Sequence, residues 1–237
     1  MDKKELLLSD VFVRFAFLRL QHAVRAQQTP EGPYTDVNGN PVVCSTDIGT
    51  GNKMLGSFRW ENDPVDYFCP GHNDMFVTSA GVRLIAYHCR TNYFIEKKLS
   101  RSNNFHYLYL GQFDYNSDGW PVMNANRYAG EELQDVTDEE LLNITAGKFE
   151  AVLFRQSVET AEAKRVVLRK DGTLDGAYKG RWKMYGSRYI SIETQGDEFS
   201  GVVMPAWIDH QSVAGLTVTA MGRRSGMALL LNSTYQI

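Results

Sequence analysis

Three shortages narrow what this sequence can be. Cysteine is scarce: Cys44, Cys69 and Cys89 stand 25 and 20 residues apart. That is too few for a disulfide framework, and the spacing fits no zinc pattern. An odd number leaves at least one free thiol, and such thiols ordinarily sit in the interior. Basic clusters are missing as well. No run of Lys or Arg exceeds two residues, and 25 basic against 28 acidic side chains give a net charge of −3. That balance argues against a nucleic-acid surface, which needs a basic stripe. Long apolar runs are the third shortage, since nothing approaches the ~18 residues of a membrane span. The Leu6-Leu7-Leu8 run is broken up by Asp10, Arg14 and Arg19, so the first twenty residues do not read as a signal peptide.

What is present is aromatic and β-patterned. Twelve Tyr, twelve Phe and four Trp make up 12% of the chain, a composition that favours strands and is also common in sugar-binding clefts. Val11 to Phe17, Met75 to Val77, Val82 to Tyr87 and Phe105 to Phe113 alternate or run apolar as strands do. Asn38-Gly39-Asn40-Pro41 and Asn116-Ser117-Asp118-Gly119 supply turn chemistry between them. From Glu131 to Glu140 there are six carboxylates and no base. Val136-Thr137-Asp138-Glu139-Glu140 reads as a helix N-cap over an acidic first turn, so a linker with at most one short helix is expected. Seven strand candidates follow: 149–154, 165–168, 181–184, 189–192, 201–204, 216–220 and 227–231. Short strands so regularly spaced predict a small barrel or sandwich. The expected division is 1–131, an acidic linker 132–145, and a β-barrel domain 146–237.

The segments between strands carry a resemblance. Gly32-Pro33-Tyr34 with Asp36 and Asn38-Gly39-Asn40, Gly51-Asn52-Lys53-Met54-Leu55-Gly56-Ser57-Phe58, Pro70-Gly71-His72-Asn73, and Tyr87-His88-Cys89-Arg90 occur in that order. Asp118-Gly119-Trp120-Pro121-Val122, Arg127-Tyr128-Ala129-Gly130-Glu131 and Leu168-Arg169-Lys170-Asp171-Gly172-Thr173 continue it. Together they resemble the C-terminal part of endo-α-1,5-L-arabinanases of glycoside hydrolase family 43. The resemblance implies an all-β chain: the closing blades of a five-bladed β-propeller, then a small antiparallel barrel. It also implies export and action on arabinan with inversion.

Such glycosidases work with converging carboxylates, one as general base and one as general acid, helped by a third. The resemblance puts all three on earlier blades, so no catalytic residue is assigned in this chain. Activity would then need the front blades, from a separate chain or a longer precursor. A non-catalytic carbohydrate-binding or structural remnant, or a truncated reading frame, are the alternatives.

His72 matches a histidine that in the family helps hold a metal, usually calcium, largely through water. Read from the residues alone, it is equally a turn histidine bonded to backbone. Asp74 could add an oxygen ligand beside it. Asp66, Asp74, Asp114 and Asp118 are carboxylates by type without the spacing of an acid/base couple. His88 and His106 read as packed or hydrogen-bonded residues, His22 and His210 carry no motif, Trp182 reads as barrel core, Trp120 as core or blade closure, and Trp60 as either cleft or blade.

Overall fold

The computed structural model describes residues 22–24, 34–42, 51–92, 106–144 and 146–234. The strands expected at 11–17 and Cys44 lie outside the described residues. In chain order the elements begin with β1 (His22–Val24), β2 (Asn52–Leu55), β3 (Phe58–Arg59), β4 (Tyr67–Val77), β5 (Arg83–Thr91), β6 (His106–Tyr115) and β7 (Pro121–Met123). A helix, α1 (Asp138–Asn143), separates these from β8 (Lys148–Phe154), β9 (Ala161–Glu162), β10 (Lys164–Leu168), β11 (Thr173–Gly176) and β12 (Gly180–Tyr185). The last strands are β13 (Tyr189–Thr194), β14 (Asp197–Ile208), β15 (Val213–Gly222) and β16 (Ala228–Ser233). Among the described residues the fold is all-β apart from α1 and one 3-10 turn at Asp209–Gln211.

The second half closes into a barrel. Strands β10 to β16 pair in sequence, and β16 and β10 both pair with β8 to complete the ring of eight. Closure removes every free strand edge. The tight β13–β14 hairpin shows local sequence fixing register. Gln195 and Gly196 sit at φ 53 and 76, the two positive angles a two-residue connection needs, and Thr194 pairs with Asp197. All seven expected strands are present. The eighth, β11, lies where the sequence shows turn residues, because Lys170-Asp171-Gly172 turns directly into it.

The first half forms a six-stranded sheet in the order β7-β6-β5-β4-β3-β9. Its last member comes from the barrel half: β9 leaves the connection between β8 and β10 and pairs parallel with β3, Phe58 opposite Ala161. A strand-length alternation then joins the two halves. On β8, Phe149, Ala151 and Leu153 enter the barrel core, while Val152 and Phe154 point outward into a second core shared with Phe58, Trp60, Ile85 and Met123. On β14, Val203 faces in while Val202 and Met204 face out; on β16, Leu229 and Leu231 face in while Ala228 and Leu230 face out. Strands buried on both faces lose polar alternation. Polar stitches cross the same seam. Asn126 and Asn232 exchange side-chain amide bonds at 2.9 and 3.0 Å, and the Thr219 hydroxyl donates to the Met123 carbonyl at 2.7 Å.

The acidic segment folds as expected at one point. The Thr137 side chain accepts from the Glu140 amide, and the Glu140 carboxylate accepts from the Thr137 amide, a capping box over α1. Val136 and Leu141 are buried against the barrel, so the linker is pinned at two apolar residues.

Candidate functional site

The motif Pro70-Gly71-His72-Asn73 is not a turn. It lies inside β4, where the pairing with β5 slips twice, between Phe68 and Gly71 and between Gly71 and Asp74. Cys69 and His72 take φ of 48° and 50°, left-handed angles that cost a non-glycine residue energy and tend to mark sites under constraint. Bulging explains how Pro70 is tolerated within a strand.

The bulge sets His72 into a row of imidazoles across three strands. Its ring centroid is 6.1 Å from that of His88 on β5, and His88 is 4.5 Å from His106 on β6. Arg90 Nε donates to His106 Nε2 at 2.8 Å, so His106 is hydrogen-bonded as expected. Burial, then the neighbouring charges of His106 and His72, hold the His88 pKa below the usual imidazole value. His106 is lowered by burial and by Arg90. Nitrogen ligands suit calcium poorly, since that ion takes six to eight oxygens. Among the described residues no group of three or more His, Cys, Asp or Glu is arranged to hold a metal. A calcium ion at His72 would therefore depend mainly on water.

The four aspartates weighed by type do not converge. Asp114 is buried and clamped by Arg83 at 3.2 Å and Arg188 at 3.0 Å. Asp118 pairs with Arg223 at 2.8 Å, Asp66 with Arg59 at 3.3 Å, and Asp74 is exposed opposite Ala86. Each of the three paired carboxylates is held by an arginine, an arrangement that orients structure rather than moving protons. Among the described thiols, Cys89 is buried, and burial pushes its pKa up to about 12; Cys69 is free and half-buried.

A charged, largely buried cluster lies at the seam, where the sequence shows no motif. Glu150, on the outward face of β8, meets His210 Nε2 at 2.5 Å, with side-chain exposures of 1% and 5%. The Gln211 amide donates to Glu150 Oε1 at 3.1 Å and the Glu61 backbone amide to Oε2 at 3.0 Å. Trp60 stacks on the His210 ring at 5.5 Å between centroids, which settles Trp60 as a buried seam residue. Beside it Arg165 pairs with Glu61 at 2.6 Å and Arg127 with Asp209 at 3.0 Å. Burial raises the Asp63 pKa against the lowering of its own hydrogen bonds. One signal was available: Glu150 is the lone carboxylate in a strand that is apolar apart from it and Lys148 at its start. Trp182 is buried in the barrel, its indole donating to the Arg169 carbonyl at 3.0 Å, and half-buried Trp120 packs against the shared core.

Comparison with known proteins assigns this architecture. Residues 125–231 match the C-terminal lipocalin-like domain of glycoside hydrolase family 43. The chain resembles the C-terminal part of family 43 arabinanases. It is 27% identical over 202 residues to extracellular endo-α-(1→5)-L-arabinanase 2 of Bacillus subtilis, covering 78% of this chain and 40% of that protein. It is 28% identical to the extracellular endo-α-(1→5)-L-arabinanase of Thermotoga petrophila over the same shares. The solved structure of a family 43 glycoside hydrolase from Bacillus licheniformis superposes with a TM-score of 0.80 at 26% identity, over 92% of this chain and 49% of that one. The Thermotoga petrophila arabinanase, at 24% identity and TM-score 0.79, shares the fold. The chain thus spans about 40% of the curated relatives it matches, and about half of the solved ones.

Proposed function

We propose that this polypeptide serves arabinan breakdown as the C-terminal portion of an endo-α-1,5-L-arabinanase, with the acid and base carboxylates supplied from outside the described residues. The reading is supported by one alignment that runs through both halves, sheet and barrel, into proteins named for that activity. A second support is chemical. Inverting hydrolysis needs two carboxyl groups several ångströms apart with room for water between them, and the candidates Asp66, Asp114 and Asp118 are each held by arginine. The six-stranded sheet is read as closing blades of a propeller, its front blades coming from preceding residues or a separate chain. Export is part of the reading, since both curated relatives are named extracellular.

Calcium enters only as a water-held ion at His72. It would supply local positive charge, and His72 would orient it through one ring nitrogen. Calorimetric titration of calcium into the chain and into His72→Ala tests this: equal binding by both removes the ion from the proposal.

A free-standing remnant is the weaker alternative, because the barrel's outward residues Phe154, Val202, Met204 and Leu230 are buried in the shared core. The deciding experiment incubates the purified chain with linear arabinan, alone and with the separately produced front portion of an arabinanase. No oligosaccharide release alone and release on mixing are expected. Release by the chain alone, free of contaminating hydrolase, would overturn the reading.

A further inference from the structure

Lys53, on β2, is a cation in the wrong place. It is only 3% exposed, and no carboxylate pairs with it among the described residues. Its amine donates to one partner, the Ser157 carbonyl at 2.9 Å. A buried ammonium without a counter-ion is strongly disfavoured, whereas a neutral amine can donate to a carbonyl equally well. Space for the side chain is built in. A Cβ placed on Gly56 would come within 2.9 Å of Lys53 Cε and 3.2 Å of Nζ, so the stem crosses the bare face of that glycine. The residue then meets a cleft of about 380 Å³ between β2 and the segment leading into β9. Ser157, Thr160, Glu162 and Tyr178 line the same cleft with hydroxyl and carboxylate groups.

We propose that Lys53 is an imine-forming amine and that its cleft takes small hydroxyaldehydes, the open-chain end of a reducing sugar among them. The amine lone pair adds to the aldehyde carbon, giving a carbinolamine. Loss of water then leaves the C=N bond, the carbonyl oxygen departing in that water. No oxidant or reductant is required. Desolvation activates lysine for such addition. It lowers the Lys53 pKa to about 7, so a large share of the amine is unprotonated near neutrality. An ordinary lysine at pH 7 is unprotonated only about once in 2,500 molecules. The proposal stands apart from the arabinan reading and survives if that reading fails.

Glycolaldehyde with cyanoborohydride at pH 7 tests it on the intact folded chain, with adduct formation followed lysine by lysine through peptide mass mapping. Lys53 is expected to trap on the order of tenfold faster than exposed Lys170, Lys179 and Lys183, the activation outweighing its burial. The wild-type rate ratio needs no variant. Lys53→Met should abolish the fast adduct, and Gly56→Ala, which displaces the stem, should slow it. Labelling of Lys53 no faster than the exposed lysines would overturn the assignment. Acetaldehyde trapped as fast as glycolaldehyde would overturn the hydroxyl-bearing class.

Discussion

The barrel and the six-stranded sheet are both antiparallel over most of their strands, yet they spend their residues differently. The barrel ladders run without a slipped register, from β12 against β13 through β15 against β16. In the sheet, β4 slips twice beside β5 and holds two residues at left-handed angles. The barrel interior is apolar and filled. On the face of the sheet away from the shared core, Leu108 lies opposite His88 in the row of histidines and is 75% exposed. Regular pairing and a filled core are what stability asks for. Bulges, strained backbone and aligned imidazoles are what a constrained surface looks like. The comparison places regular pairing in the barrel and the bulged, strained backbone in the sheet.

Four substitutions would break or sharpen that contrast. Phe199 is fully buried in the barrel, and Phe199→Ala should lower stability by about 3–5 kcal/mol in urea unfolding. A loss below ~1 kcal/mol would mean the barrel core is looser than its packing indicates. At the seam, Glu150→Ala removes the partner of His210, Gln211 and the Glu61 amide together. A cost of about 3 kcal/mol is expected, and both halves should melt earlier if they unfold as one unit.

Lys53 makes the third prediction a matter of pH. Its pKa is lowered from 10.5 to about 7 on folding, so between those values the unfolded chain binds more protons. Stability should therefore rise with pH across that window, by up to about 1.4 kcal/mol per unit. Below pH 7 both states hold the proton and the full penalty stands; above pH 10.5 it is gone. Urea midpoints for wild type and Lys53→Met at pH 7, 8, 9 and 10 isolate the effect, because the methionine variant should lack this slope. Parallel curves would place a counter-charge beside Lys53. The smallest effect is expected at Leu108. Leu108→Ser should shift stability by less than about 0.5 kcal/mol, and a larger loss would show that this face is covered in solution.

Local chemistry was legible and remote pairing was not. The seven barrel strands follow from alternation and turn residues, and the capping box over α1 can be read from Thr137 and Glu140 alone. Strand β11 was lost because Gly172 and Gly176 bracket it with turn signals. Strand β9 is two residues long and owes its existence to β3, a hundred positions earlier in the chain. His72 was singled out as a metal-holding or turn histidine, and its place inside a strand was not legible, since nothing local announces that Pro70-Gly71 is absorbed by a bulge. The Glu150–His210 pair is the clearest loss. Sixty positions separate the partners, and neither belongs to a recognisable motif, so only the closed barrel brings them together.

The outward apolar side chains of β8, β14, β15 and β16 give the barrel a party wall rather than an exterior. Anyone who cuts the gene at the acidic helix to express the barrel alone would strip that wall of its neighbour. Phe154, Val202, Met204 and Leu230 would then meet water as one greasy stripe. Such a fragment would need polar residues at those positions before it could stay dispersed in solution. Each of those strands therefore answers to two interiors at once, and a substitution accepted by one must also be accepted by the other.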